Sequence, residues 1–180
     1  MGRSRYKIFE PTYPHFVTCT VLHWIPIFTR VETTDIVFQS LKYLQIVDNL
    51  KIFAYVILEN HLHLVAQSDD IAKTMSKFKS FSAREIIKYL KEKNAQTILE
   101  QLAFYKKAHK SDRELQLWQE GIQPKLIVDE NMMMSRINYI HNNPVKRGYV
   151  DEAKHWRYRR YSSARDYEGM VGLLEIEKLF

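Results

Sequence analysis

The stretch Glu59-Asn60-His61-Leu62-His63 interrupts an otherwise apolar run that extends from Ile52 to Ala66. The residues on either side of it are typical of β-strands, and Glu59-Asn60 is the only polar break, so a tight hairpin is predicted here. Successive side chains of a strand point to opposite faces of a sheet. His61 and His63 are therefore expected on one face, with the leucines that alternate with them in the core.

This spacing leaves two interpretations of the histidines open. Two imidazoles held one pleat apart on a rigid strand can bind a single cation. Alternatively, they are two histidines on the open face of a sheet, hydrogen-bonded or solvated. A second stretch, far downstream, bears on the choice: Tyr139 and Asn143 lie four residues apart in a predicted helix, so they share one face of it.

The order of the predicted elements defines the fold. They are a strand at 15–22, a helix capped by Thr33 or Thr34 that ends near Asn49, the two hairpin strands, a helix that begins at 68–70 and restarts or bends at Ser82, and a fourth strand at 115–119. Strand, helix, strand, strand, helix, strand is the split βαβ arrangement. We expect an α+β, ferredoxin-like sheet with helices on one face and the other face free to meet a ligand.

A C-terminal helix that carries Tyr139 is expected after the last strand. Asp129 is its predicted N-cap, and Pro144 should end it near Asn143 because proline disfavours helical geometry in the preceding residue. No domain boundary is visible, so one domain is predicted over 1–180, with a core at 13–167, a basic arm at 1–12 and a C-terminal tail at 168–180.

The composition is that of a globular protein, with 180 residues, 46% hydrophobic and 27% charged. Cys19 is the only cysteine and cannot form an internal disulfide, which favours a reducing compartment, and no apolar run is long enough to span a membrane. A cytoplasmic protein without a membrane partner is expected.

The formal net charge of +6 and the 13% aromatic content favour a nucleic-acid partner, because phosphates attract cations and bases stack on rings. A solvated basic surface is the alternative. The predicted DNA contacts lie in the N-terminal arm, the second helix and the 156–161 segment: Arg3, Arg5, Lys79, Arg84, Arg157, Arg159 and Arg160.

A site that cuts a phosphodiester through a tyrosine needs a nucleophile, a cation and a means of holding the strand. His61, His63 and the amide oxygen of Asn143 would hold Mg²⁺ or Mn²⁺, and the imidazoles favour Mn²⁺. The phenol of Tyr139 would then point at the phosphate. The base that activates it is not identified, since His141 is two residues along the helix and points elsewhere.

Two motifs carry a resemblance to a known family. Asn60-His61-Leu62-His63-Leu64 resembles the His-hydrophobic-His motif of HUH endonucleases. The run Arg136–Lys146, followed by Tyr161-Ser162-Ser163-Ala164, resembles the C-terminal half of the REP-associated tyrosine transposases. These belong to the one-tyrosine transposase superfamily, which moves single-stranded DNA, and the likeness covers roughly residues 14–167.

The resemblance implies a metal-dependent enzyme that cleaves and rejoins single-stranded DNA at short palindromic elements folded as hairpins. It implies that His61, His63 and Asn143 are the metal ligands and that Tyr139 forms a 5′-phosphotyrosyl link and leaves a free 3′-OH. Whether the tyrosine helix serves its own site or that of a partner in a homodimer is left open.

Other classes fit the sequence less well. A two-histidine phosphoesterase needs a second His-x-Thr or His-x-Ser motif, and none is placed like the first. A metallo-β-lactamase-type hydrolase would continue into an Asp-His pair, where this chain has Leu64-Val65-Ala66. The strongest rival is a non-catalytic hairpin DNA- or RNA-binding protein derived from a transposase, although a pure binder has no need of the complete residue set.

Overall fold

A computed structural model of the protein describes residues 13–112, 114–122, 124–155 and 161–178. Its elements, in chain order, are β1 His15–Thr20, α1 Val31–Val47, β2 Lys51–Ile57, β3 His61–Gln67, α2 Ile71–Glu92, α3 Gln96–Phe104, β4 Lys125–Leu126, α4 Glu130–Lys146 and α5 Ala164–Tyr167. The first strand, the hairpin and the three long helices are confirmed.

The four strands form one antiparallel sheet in the order β2-β3-β1-β4. Strand β3 lies between β1 and β2, which run parallel to each other and are connected through α1. This is the split βαβ arrangement, and it confirms the predicted α+β class.

The predicted position of the fourth strand is wrong. The observed β4 is Lys125–Leu126, which pairs with the start of β1. In the predicted segment 115–119, Leu117 and Trp118 are consecutive and both buried, so the segment does not alternate between two faces. Trp118 makes only an isolated bridge to Val21, and its indole N–H donates to the hydroxyl of Ser82. The segment is therefore a buried loop beside β1.

The same hydrogen bond explains why α2 is continuous and does not restart at Ser82. The Ser82 hydroxyl donates to the carbonyl of Phe78 one turn earlier and accepts from Trp118, so it does not cap a new helix. The predicted cap of α1 is also wrong. Arg30 is the N-cap, while Thr33 and Thr34 lie inside the first turn and donate to the Arg30 carbonyl.

Helix α4 begins as predicted, with Asp129 accepting from the N–H of Met132, but it continues through Pro144 to Lys146. A left-handed Gly148, with φ of 69°, ends it. The Tyr149 N–H then donates to the Pro144 carbonyl over 3.0 Å, and the Gly148 N–H donates to the Val145 carbonyl. This is a Schellman motif, and it preserves helical geometry at Asn143.

Helices cover both faces of the sheet. Phe38 of α1 contacts Tyr55, which pairs with Leu64 and so faces away from His63. Helix α4 packs on β2 and β3 from the other side, where the Tyr139 ring contacts His63. The expectation that the histidine face is free of helices is therefore wrong, and the histidines lie in a partly covered site.

The segment after the C-terminal gap closes the edge of the sheet at β2. The Ile57 N–H donates to the Tyr161 carbonyl, and the Ser163 hydroxyl accepts from the Tyr55 N–H over 2.9 Å. The same hydroxyl lies 2.8 Å from Nε2 of His141, and burial lowers the pKa of that imidazole to about 4. Ser163 thus links β2 to α4.

Replacing Ser163 by alanine is expected to lower the free energy of unfolding by about 2–3 kcal/mol, since it leaves the Tyr55 N–H and the His141 ring buried without this partner. Urea denaturation followed by circular dichroism measures the change. The exposed Ser80, replaced in the same way, is the matched control and should change the value by no more than about 0.5 kcal/mol. Equal effects at the two sites would contradict the assigned role.

Candidate active site

His61 and His63 project from the same face of β3, with their ring centroids 4.7 Å apart. They are only 2% and 6% exposed. The structure therefore agrees with the predicted shared face and shows that neither side chain is solvated on an open sheet. The alternative of two hydrogen-bonded histidines that hold no metal stays open.

Each ring is oriented by a hydrogen bond at Nδ1. Nδ1 of His61 lies 2.7 Å from Oδ1 of Asn60, and Nδ1 of His63 lies 2.9 Å from the hydroxyl of Thr18 on β1. Because the Asn60 amide nitrogen donates to the Trp24 carbonyl, its oxygen is the acceptor for His61. This arrangement leaves Nε2 of each ring as the nitrogen available to a metal.

Both imidazoles are held in the neutral form. Burial and, to a smaller extent, the nearby Arg147 guanidinium lower the pKa of His61 to about 4, although the Glu59 carboxylate acts in the opposite direction. Burial, His61 and Arg147 together lower the pKa of His63 to about 3. Neutral imidazole is the form that binds a metal, so no proton has to be displaced near pH 7.

Helix α4 brings Tyr139 to these histidines within one chain. The Tyr139 ring centroid lies 5.4 Å from that of His63 and 5.7 Å from that of Phe16, which itself stacks on His63. The side chain remains 39% exposed, so it contacts the histidine cluster and solvent at once. The Arg136 guanidinium lies 5.3 Å from the centroid of the same Phe16 ring.

Asn143 is one helical turn beyond Tyr139 and is 8% exposed. Its amide oxygen is buried and has no hydrogen-bond partner within the described residues. Tyr139, Asn143 and Arg147 follow one another at four-residue spacing, so they form a single stripe on α4. One end of this stripe contacts His63, and the other end forms an ion pair with Glu59, so Asn143 lies over the hairpin between them.

Two imidazole nitrogens and an unpaired amide oxygen are a donor set that fits Mn²⁺ or Mg²⁺. No cluster of three or more His, Cys, Asp or Glu side chains suited to a metal occurs in the part of the chain that the structure describes. Asn143 is therefore the predicted third protein ligand, and its buried amide oxygen is free to take that role within the described residues. The roles of His61, His63, Asn143 and Tyr139 stay predictions, now with a geometry that accommodates them.

The structure adds five residues that sequence patterns did not single out for the site: Phe16, Thr18, Trp24, Glu59 and Arg147. Phe16 and Thr18 alternate on β1, which is a signal for a shared face, but only the register of β1 against β3 places them beside His63. The sequence pattern identifies Glu59 only as part of the turn. Its ion pair with Arg147, at 2.9 Å, joins two segments that are remote in sequence.

Two of the predicted DNA contacts, Lys79 and Arg84, lie on α2. The Lys79 ammonium donates to the carbonyls of Gln119 and Gly121, and burial lowers its pKa. It also interacts with Cys19, whose thiol pKa is raised by burial to about 11 and which faces away from Thr18 and the histidines. Arg84, on the same helix, is exposed and forms an ion pair with Glu85.

Neither Lys79 nor Arg84 therefore lies at the histidine face. The other predicted contacts, Arg3, Arg5, Arg157, Arg159 and Arg160, lie outside the described residues.

The Glu59–Arg147 ion pair is expected to stabilise the contact between the tyrosine helix and the histidine hairpin. Replacing Arg147 by methionine removes the counter-charge of the Glu59 carboxylate, one oxygen of which is buried without a hydrogen-bond partner among the described residues. The free energy of unfolding should fall by about 1–2 kcal/mol. In the double variant Glu59→Gln, Arg147→Met, part of this loss should be recovered.

Urea denaturation of the four combinations gives the coupling energy of this pair. The exposed neighbour Lys146, replaced by methionine, is the control for loss of a positive charge at the same helix end. A coupling energy of zero would show that the ion pair does not hold the two elements together.

The split βαβ sheet, with paired histidines that face a tyrosine on a helix, agrees with the fold that the resemblance to the one-tyrosine transposases implied. No family model matches the chain. A Haemophilus influenzae (strain ATCC 51907 / DSM 11121 / KW20 / Rd) protein, provisionally named a REP-associated tyrosine transposase, is 31% identical over 111 residues. The match covers 60% of this chain and 57% of that protein, so the chain spans little more than half of the relative's length.

A solved structure described as a REP-associated tyrosine transposase bound to a REP hairpin has the same fold. It covers 98% of this chain and 93% of its own, with a TM-score of 0.65 and 15% sequence identity. The Haemophilus influenzae relative confirms the resemblance to REP-associated tyrosine transposases that the sequence motifs indicated, and the solved structure confirms the fold. Among the described residues, no helix has the length and apolarity needed to cross a membrane.

Proposed function

We propose that this protein is a metal-dependent endonuclease and transposase that cleaves and rejoins single-stranded DNA at palindromic hairpin elements. Tyr139 is the nucleophile, and His61, His63 and Asn143 hold Mg²⁺ or Mn²⁺. The observation that carries the proposal is the 5.4 Å approach of the Tyr139 and His63 ring centroids within one chain. The fold neighbour described as bound to a REP hairpin supports the choice of substrate.

In the cleavage step, the phenolic oxygen of Tyr139 forms a bond to phosphorus while the bond from phosphorus to the 3′ oxygen breaks. The phenol loses its proton, and the departing 3′ oxygen gains one. The products are a 5′-phosphotyrosine and a free 3′-OH. In the rejoining step, a 3′-OH attacks the same phosphorus and releases Tyr139, so the energy of the phosphodiester is conserved.

The residues around Tyr139 support this chemistry. The Arg136 guanidinium, which lies over the Phe16 ring, offers a contact for phosphate oxygens. The 39% exposure of Tyr139 allows its proton to leave to water. His141 is not suited to act as its base, because it is buried and its Nε2 is hydrogen-bonded to Ser163.

The bound cation would draw charge from the non-bridging phosphate oxygens as they approach the transition state. His61 and His63 supply its nitrogen ligands in fixed orientations because Asn60 and Thr18 hold their Nδ1 atoms. Asn143 supplies an oxygen that has no other partner in the described structure. All the proposed ligands and the nucleophile come from one chain, so this geometry does not require a second copy.

The experiment that tests the proposal uses a DNA hairpin with single-stranded flanks, labelled at its 3′ end, and Mn²⁺. Cleavage should leave the labelled 3′ fragment covalently attached to the protein on a denaturing gel, and EDTA should prevent this. Stable binding without any adduct, over a series of flank sequences, would overturn the proposal and favour the non-catalytic hairpin-binding protein.

A further inference from the structure

Trp24 lies beside the candidate active site and is unusually exposed for so large an apolar side chain, at 53%. Its ring meets that of His61 edge to face, with centroids 5.5 Å apart. The rings of Tyr139, His63, His61 and Trp24 therefore follow one another, with centroid spacings of 5.4, 4.7 and 5.5 Å. A DNA strand that passes Tyr139 and the histidines would reach Trp24 next.

The backbone at this point is strained. His23 and Trp24 have φ values of 49° and 58°, which places two consecutive non-glycine residues in the left-handed region. For bulky residues this conformation is rare and unfavourable, and such strain is concentrated at functional sites. A turn serving only to connect β1 with α1 has no need of two aromatic residues in this conformation.

Three contacts hold the strained turn in place. The His23 ring stacks on that of Tyr105, with centroids 3.8 Å apart and planes inclined by 16°. The Trp24 N–H donates to the Val21 carbonyl, and the Trp24 carbonyl accepts from the Asn60 side chain over 3.1 Å. Since Asn60 also orients His61, one side chain holds the Trp24 backbone and the His61 ring relative to each other.

We infer that Trp24 is a stacking platform for the base of a nucleotide that flanks the scissile phosphate. This inference rests on the proposed function, since it needs single-stranded DNA at the histidine site. An exposed indole offers a face to any unpaired base, and stacking of this kind tolerates changes of sequence. Trp24 would thus position the DNA strand without selecting one base. The strained turn holds the indole exposed, so that a base can stack on it.

The test measures DNA binding with the cleavage step removed. In a Tyr139→Phe background, Trp24 is replaced by phenylalanine, which can stack, or by leucine, which fills similar space without a π-face. Fluorescence anisotropy then gives the dissociation constant for hairpin DNA with an intact single-stranded flank, and for the same DNA with abasic sites scanned through the flank.

Relative to the Tyr139→Phe parent, the Trp24→Leu variant should bind the intact flank roughly tenfold more weakly, and the Trp24→Phe variant should bind it within about threefold. An abasic site at the nucleotide that stacks on Trp24 should remove the difference between the two variants. Tyr43→Ala, an exposed aromatic residue of α1 on the opposite face, is the matched control and should change nothing. Equal binding by the leucine and phenylalanine variants on every DNA would overturn the inference.

The same set of proteins separates this inference from the proposed function. If the protein with Tyr139 intact forms no adduct but Trp24→Leu still weakens binding to the intact flank, the cleavage proposal fails and the stacking role stands. If the adduct forms and binding is independent of Trp24, only the stacking role fails. If no variant binds the intact flank more tightly than the abasic one, the inference is also overturned.

Discussion

Replacing Tyr139 by phenylalanine is expected to abolish the covalent protein–DNA adduct while leaving the affinity for hairpin DNA within about twofold of that of the parent protein. The substitution removes one oxygen atom and keeps the ring that contacts His63 and Phe16. Because no other group can form the phosphotyrosyl bond at this position, cleavage should fall by at least about 10³-fold. A denaturing gel with end-labelled DNA measures the adduct.

The matched control is Tyr43→Phe, which removes the same atom from an exposed tyrosine of α1 on the far face of the sheet. It should form the adduct at the parental rate. Both variants should unfold at the same urea concentration as the parent, since neither ring is moved. An adduct that persists in Tyr139→Phe would show that another of the 11 tyrosines is the nucleophile.

The hairpin and the main helices could be predicted because their signals are local. The apolar run from Ile52 to Ala66 and its polar break at 59–60 indicated β2 and β3, and Asp70 and Asp129 cap their helices as their sequences suggest. The fourth strand could not be predicted in the same way. A two-residue strand such as β4 has no period of its own, and its place is set by its pairing with β1.

Trp118 illustrates how tertiary packing overrides a local pattern. The alternation around it is typical of a strand, and Ser82 with Glu85 is typical of a helix start. In the structure, the indole of Trp118 donates a hydrogen bond to the hydroxyl of Ser82. That contact occupies the hydroxyl that would have capped a new helix, while Trp118 packs on Phe28 and Phe78 in the core, and neither sequence pattern contains information about it.

In the candidate site, too, some features follow from local sequence and others depend on tertiary packing. His61 and His63 share a face because both are on one strand, and Tyr139 and Asn143 share a face because both are on one helix. The contact between strand and helix depends on how α4 packs across the sheet. The partners that orient the rings, Thr18 above all, depend on the register of β1 against β3, which strand alternation does not specify.

Replacing either histidine of the hairpin is expected to remove the metal site. His61→Gln and His63→Gln each replace a neutral imidazole with an amide of similar size, so the buried site stays filled while a nitrogen ligand is lost. We expect the affinity for Mn²⁺ to fall by at least about 100-fold in each variant, with cleavage lost at the same Mn²⁺ concentration. Titration followed by electron paramagnetic resonance of free Mn²⁺ measures binding without DNA.

The orientation of the rings offers a finer version of this experiment. Thr18→Val keeps the shape of the side chain but removes the hydroxyl that holds Nδ1 of His63 at 2.9 Å. Loss of such an outer partner typically weakens metal binding by about 10- to 100-fold, so its effect should be smaller than that of His63→Gln. His109→Gln, at an exposed site paired with Glu120, should bind Mn²⁺ like the parent. Parental Mn²⁺ affinity in both hairpin variants would mean that the histidines hold no metal and that their burial serves packing alone.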